Sequence, residues 1–169
     1  RRCWGEAART GVANAPIDDM RTAIDGIPLD EASTSMTINA PAACLLRLYE
    51  LIGEEQGVPS EKLRGTTQND VLKEYIARGN YIYPPQPTMR LTTDLIAYTV
   101  KHIPRWNPIN ICSYPLQEAG ATPVQELAYA LCTAIAVLAA VRDSGQVAPE
   151  AFGEVVKGVL KPWECKVFG

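Results

Sequence analysis

A few side chains stand out by type and by place. Ser35 and Thr37 close one extended stretch, Thr66 and Gln68 close or follow the next, and Tyr114 follows a third. Hydroxyl and amide groups gathered at strand ends can hydrogen-bond a polar ligand without adding charge. Arg78 and Glu118 add one cation and one anion nearby in sequence. Each residue also has a plain structural reading. Ser and Thr after strands often cap helices, Gln68 fits a turn, and Arg78 beside Gly79 suits a helix C-terminus. Tyr114 and Glu118 could be core rim and surface.

Other chemistries find no residues. There is no nucleophile elbow, no phosphate-binding glycine loop and no G-x-G-x-x-G run. The five cysteines, Cys3, Cys44, Cys112, Cys132 and Cys165, are widely spaced and form no C-x-x-C pair, so neither a zinc site nor a redox pair is expected. They read as reduced, buried small hydrophobes of a cytoplasmic protein. The single histidine, His102, falls near the end of a helical stretch, where it would complement the helix dipole. No metal site is expected.

The elements that must position these residues alternate between extended and helical. Of the 169 residues, 47% are apolar and 21% charged, and the net charge is −3. These are globular values, and no basic bank suggests nucleic acid. The apolar run 127–141 is too short for a bilayer span and is expected to be a buried core helix, so no membrane contact is expected. The first residues show no signal peptide.

A short strand is possible near Gly11–Ala13, and a helix over 16–24. A strand is predicted over 33–38, then a helix capped by Asn39 with Pro41 in its first turn. A strand over 63–67 leads to a helix capped by Asn69 or Asp70 and ended by Gly79. Pro84, Pro85 and Pro87 suggest a rigid loop, after which Thr88 caps a helix to His102. Ile109–Ser113 is the best strand. Thr122, Pro123 and Gln125 open a long helix with a capping box, and a last helix spans about 149–160. Such alternation implies parallel βαβ units. About four strand–helix units make a single α/β domain over 1–169, part of a barrel and too short for all of one.

Three segments go beyond pattern: SMTINAPAA (35–43), GTTQNDVLKEYIARGNYIYPPQPTMRL (65–91) and WNPINICSYPLQEAGATPVQEL (106–127). They resemble matching stretches of the methylmalonyl-CoA mutase family of adenosylcobalamin-dependent acyl-CoA mutases. The wording of the third is most similar to isobutyryl-CoA mutase large subunits and ethylmalonyl-CoA mutases. The resemblance runs from about 11 to 156.

The resemblance implies a partial (β/α) TIM-type barrel, with parallel strands inside and helices outside, that binds an acyl-CoA. It implies adenosylcobalamin as cofactor, whose Co–C homolysis starts a carbon-skeleton rearrangement. Carried over residue by residue, Ser35 and Thr37 meet the CoA arm and Thr66 and Gln68 the substrate. Arg78 and Tyr114 fall at the active site, and Ala77 and Glu118 fall on the cofactor side. Strand C-terminal ends are where barrels build active sites, which agrees.

The departures matter equally. Where the family has S-Y-H-x-x-E-A-G, with a histidine that hydrogen-bonds the thioester carbonyl, this sequence has Pro115, which cannot. No catalytic residue is therefore assigned. The cobalt-ligating D-x-H-x-x-G signature does not occur, so cofactor would be shared with a cobalamin-binding subunit. Residues 157–169 diverge from the family, as a truncated or frame-altered product would. The expectation is a mutase barrel segment that is inactive alone and self-associates through open barrel edges. The alternative is a non-catalytic remnant that binds a CoA thioester or a partner.

Overall fold

The computed structural model describes residues 16–160. The expected strand near Gly11–Ala13 and most of the divergent tail lie outside those residues.

The order is α1 (Ile17–Ala23), β1 (Ser33–Met36), α2 (Ala42–Glu55), β2 (Arg64–Thr67), a π-helical turn (Glu74–Arg78), α3 (Pro85–His102), β3 (Trp106–Asn107), α4 (Tyr114–Glu118), α5 (Pro123–Ser144) and α6 (Pro149–Leu160). The strands form a parallel sheet in the order β1-β2-β3, with Ser35 opposite Thr66 and Thr66 opposite Asn107. Sequential parallel pairing with helical crossovers is the α/β arrangement expected from the alternation. Barrel closure needs more strands than these.

Two cores hold the layers together. Leu29, Leu46, Tyr49, Ile52, Leu63, Ile103 and Trp106 pack between the sheet and its helices, all nearly sealed from solvent. The Tyr49 and Trp106 rings meet at 5.2 Å and the Tyr49 hydroxyl bonds Thr34 Oγ1 at 2.9 Å. Thr34, Gly65 and Trp106 therefore share the helix-facing side. The second core joins Ile96, Ile109, Ile111, Ala134, Val137, Val141, Val155 and Val159. Fully burying each such branched side chain contributes about 1.5–3 kcal/mol, and α6 is anchored by Val155 and Val159 with Phe152 packed beside them.

Several expectations are corrected. The segment Ile109–Ser113 is not a strand; β3 stops at Asn107 because Pro108 has no N–H for the ladder. Side chains take over instead. Thr67 Oγ1 donates to the Pro108 carbonyl at 3.2 Å, and the Cys112 N–H donates to Asp70 Oδ2 at 2.9 Å. One backbone bond persists, from Asn110 N–H to the Gln68 carbonyl at 2.9 Å. Pro41 rather than Asn39 stands at the start of α2, without a side-chain cap. Pro84 precedes α3 and Pro85 opens it, so those prolines start a helix instead of a loop. Thr88 lies inside α3, its hydroxyl bonding the Pro84 carbonyl at 2.9 Å.

The capping box at α5 is present as read: Thr122 Oγ1 accepts from Gln125 N–H at 3.3 Å, and Gln125 Oε1 from Thr122 N–H at 2.9 Å. α5 itself differs from the buried helix expected. It spans 22 residues, long and apolar enough by length and composition to cross a bilayer. One face packs on α3, α4 and α6, while Val124, Leu127, Leu131 and Ile135 are exposed on the other. Cys44 and Cys132 are exposed and Cys112 half-buried, and none of the three is in a disulfide, so these are not the buried hydrophobes expected.

Candidate functional site

The chemistry gathers at the C-terminal ends of the strands. Helices cover one sheet face, through Thr34, Met36, Thr67 and Trp106. Strand alternation turns Ser33, Ser35 and Thr37 to the other face, where all three are exposed. Across the sheet, Thr66 lies in register between Ser35 and Asn107. Asn107 Nδ2 donates to Thr66 Oγ1 at 3.2 Å. Just beyond β2, Gln68 is buried and its Oε1 has no hydrogen-bond partner. This sheet face is a row of hydroxyls and amides rather than of apolar side chains.

The π-helical turn supplies the cation. Its last residue is Arg78, and Gly79 ends it in the left-handed conformation, φ 60°. Single π turns are rare and occur often at functional sites. Arg78 Nη2 donates to the Tyr114 hydroxyl at 3.0 Å, with the guanidinium 5.8 Å from the centre of the Tyr114 ring. Arg78 Nη1 lies 3.5 Å from Glu74 Oε1. Burial works against the Arg78 cation, but the Tyr114 hydroxyl and the Glu74 carboxylate outweigh it and hold the guanidinium more firmly protonated than usual. The arginine side chain remains 38% exposed, so part of its donor fork faces outward.

Beneath it lies a sealed charged cluster. Lys73 and Asp70 are 2% and 1% exposed, with Nζ 3.8 Å from Oδ2. Burial pushes the Asp70 carboxyl up, opposed by Lys73, and pushes the Lys73 ammonium down, opposed by Asp70. Asn39 ties this cluster to the edge of β1. Its Oδ1 accepts from the Asp70 N–H at 3.1 Å and its Nδ2 donates to Glu74 Oε1 at 2.7 Å.

Of the residues singled out in the sequence, Arg78 and Tyr114 touch, and Ser35 and Thr66 share a register. Ala77 adjoins Arg78 on the π turn. Glu118 is exposed at the end of α4, and Pro115 is buried in its first turn. His102 lies elsewhere, at the end of α3 before β3 begins, stacked on Tyr98 at 4.5 Å. Sequence reasoning passed over Lys73, Glu74 and Asn107, and it read Asn39 and Asp70 as helix caps. A buried lysine with acids at i−3 and i+1 was the available signal. A separate cleft of about 300 Å³, lined by Leu46, Arg47, Leu91, Asp94 and Tyr98, lies between α2 and α3 on the helical side. It is remote from these groups.

Comparison with known proteins gives this edge a context. The family model described as methylmalonyl-CoA mutase matches residues 1–154. The ethylmalonyl-CoA mutase of Methylorubrum extorquens is 56% identical over 151 residues, 89% of this chain and 22% of that protein. The methylmalonyl-CoA mutase large subunit of Streptomyces virginiae is 50% identical over 144 residues, 85% of this chain and 20% of that protein. The human mitochondrial methylmalonyl-CoA mutase is 48% identical over 130 residues, 77% of this chain and 17% of that protein. The chain thus spans about a fifth of the length of these relatives. With its parallel sheet, its polar strand ends and a family match over most of its length, the chain belongs to the methylmalonyl-CoA mutase family.

Proposed function

We propose that this polypeptide is a cytoplasmic segment of an acyl-CoA mutase barrel that holds a CoA thioester and does not rearrange it alone. One observation carries the reading: the Arg78–Tyr114 pair stands at the strand ends beside a polar sheet face. Ser35, Thr37, Thr66 and Gln68 would hydrogen-bond the amide-bearing pantetheine arm, and Gln68 Oε1 is a buried acceptor in want of a donor. The half-exposed guanidinium would take the free carboxylate of a malonyl-type acyl group, since arginine pairs with carboxylates through two parallel N–H bonds. The names of the relatives, ethylmalonyl- and methylmalonyl-CoA mutase, point to such acyl groups.

Adenosylcobalamin would supply the radical that starts the rearrangement. The described residues do not fit its metal. The one imidazole, His102, is stacked on Tyr98 beyond the opposite ends of the strands, and no cluster of metal-ligating side chains occurs among the described residues. Ala77 and Glu118 are at most contacts to a cofactor whose metal is held outside the described residues. Pro115, buried where the family motif has histidine, supports binding without chemistry. Losing one positioned hydrogen bond costs about 2.7–4 kcal/mol of transition-state stabilisation in comparable sites.

The purified 169-residue polypeptide should show no isomerisation of ethylmalonyl-CoA, methylmalonyl-CoA or isobutyryl-CoA with adenosylcobalamin. Clear turnover by the chain alone would sink the proposal. Activity that needs both a cobalamin-binding subunit and Pro115→His would support it.

The chain should also self-associate. Among the described residues β1 and β3 are edge strands, and the apolar stripe of α5 is bare. Such edges and patches promote pairing. Light scattering should report dimers or larger species at micromolar concentration; a monomer that persists at tenfold higher concentration would contradict this.

A further inference from the structure

We infer that Glu74, held in place by Asn39, is a positioning residue that aims Arg78 at the acyl carboxylate. The inference rests on the reading of Arg78 given above. Glu74 is only 4% exposed, an unusual place for a carboxylate. Its Oε1 is shared between Asn39 Nδ2 at 2.7 Å and Arg78 Nη1 at 3.5 Å. Asn39 is fixed in turn, because its other side-chain atom accepts from the Asp70 backbone. Glu74 therefore cannot follow a moving arginine, and the arginine must conform to the glutamate.

The donor arithmetic shows what this achieves. A guanidinium has five N–H groups. Glu74 takes one from Nη1 and Tyr114 one from Nη2. One hydrogen on each Nη and the Nε–H remain, which is enough for a two-point contact with an incoming carboxylate. Arginine on an exposed turn would otherwise sample many rotamers and lose that freedom on binding. Fixing it beforehand removes the cost from the binding step. The π turn keeps residues 74 and 78 on adjoining sides, and the Asn80 N–H closes it onto the Glu74 carbonyl at 3.2 Å.

The test compares two probes, ethylmalonyl-CoA and butyryl-CoA, which share the thioester and the CoA arm but differ in the carboxylate. Their affinities for the full chain would be measured by calorimetry, in the wild type, Glu74→Gln and Glu74→Asp. The wild type should prefer ethylmalonyl-CoA. Both variants should lose about five- to tenfold of that preference, the cost of ordering one long side chain. Affinity for butyryl-CoA should not change. Should Glu74→Gln fail to fold, judged by circular dichroism, Glu74→Asp decides, since it keeps the charge and only withdraws the carboxylate. Equal weakening toward both probes would show Glu74 to be merely structural and overturn the inference, as would an undiminished preference. A wild type that does not distinguish the probes would overturn the Arg78 reading itself, and this inference with it.

Discussion

Asp70→Ala should destabilise the chain by about 3–5 kcal/mol, the range for removing one partner of a buried ion pair. Two losses combine. The Cys112 N–H loses its acceptor, and that bond stands in for the ladder where Pro108 interrupts it. The Lys73 ammonium, 2% exposed and without a hydrogen-bond partner, loses its nearest counter-charge. The pair itself is no great source of stability, because burial moves both groups toward their neutral forms. The damage comes from breaking it. Asp70→Asn should cost less, since it keeps an acceptor for Cys112, and adding Lys73→Met to it should recover part of the loss. Urea unfolding of the three variants would show this. A cost for Asp70→Ala under about 1 kcal/mol would mean the charges are not sealed as described.

Gly65→Ala should cost about 3 kcal/mol, the upper end for overpacking. A Cβ at this position would lie 2.2 Å from the Thr34 carbonyl oxygen and 2.6 Å from the Trp106 ring. The ring could shift, but the carbonyl belongs to the backbone of β1, so one strand must leave register. Thermal unfolding should fall by about 6–12 °C for a chain of this size. Shrinking the ring with Trp106→Leu should not rescue Gly65→Ala, because the carbonyl clash remains. Rescue would show that the ring alone set the limit and that β1 can yield.

The sequence made legible whatever local chemistry determines. The Thr122 capping box, the stop at Gly79 and the strand over Arg64–Thr67 all appear, because each is settled within a few residues. What failed depended on distant partners. Asn39 and Asp70 have ideal capping side chains, yet both spend them on distant partners, Asn39 on the Asp70 N–H and the Glu74 carboxylate, Asp70 on the Cys112 N–H. Ile109 and Ile111 alternate like a strand because both enter the second core, while all but one of the hydrogen bonds described for residues 108–112 go to side chains. The site divides the same way. Arg78 and Tyr114 lie 36 residues apart and were reached only through the family resemblance; no local pattern joins them. The α5 stripe misled for another reason: apolar periodicity signals a face that avoids water and is silent on what covers it.

The most direct measurement is calorimetric titration of ethylmalonyl-CoA into the full chain and into its Arg78→Gln variant. The wild type should bind saturably, and Arg78→Gln should weaken binding by about tenfold or more, as expected for a charge-assisted pair of about 1.5–3 kcal/mol. Absence of saturable binding by the wild type, or equal affinity in the two proteins, would contradict a CoA-thioester site at these strand ends.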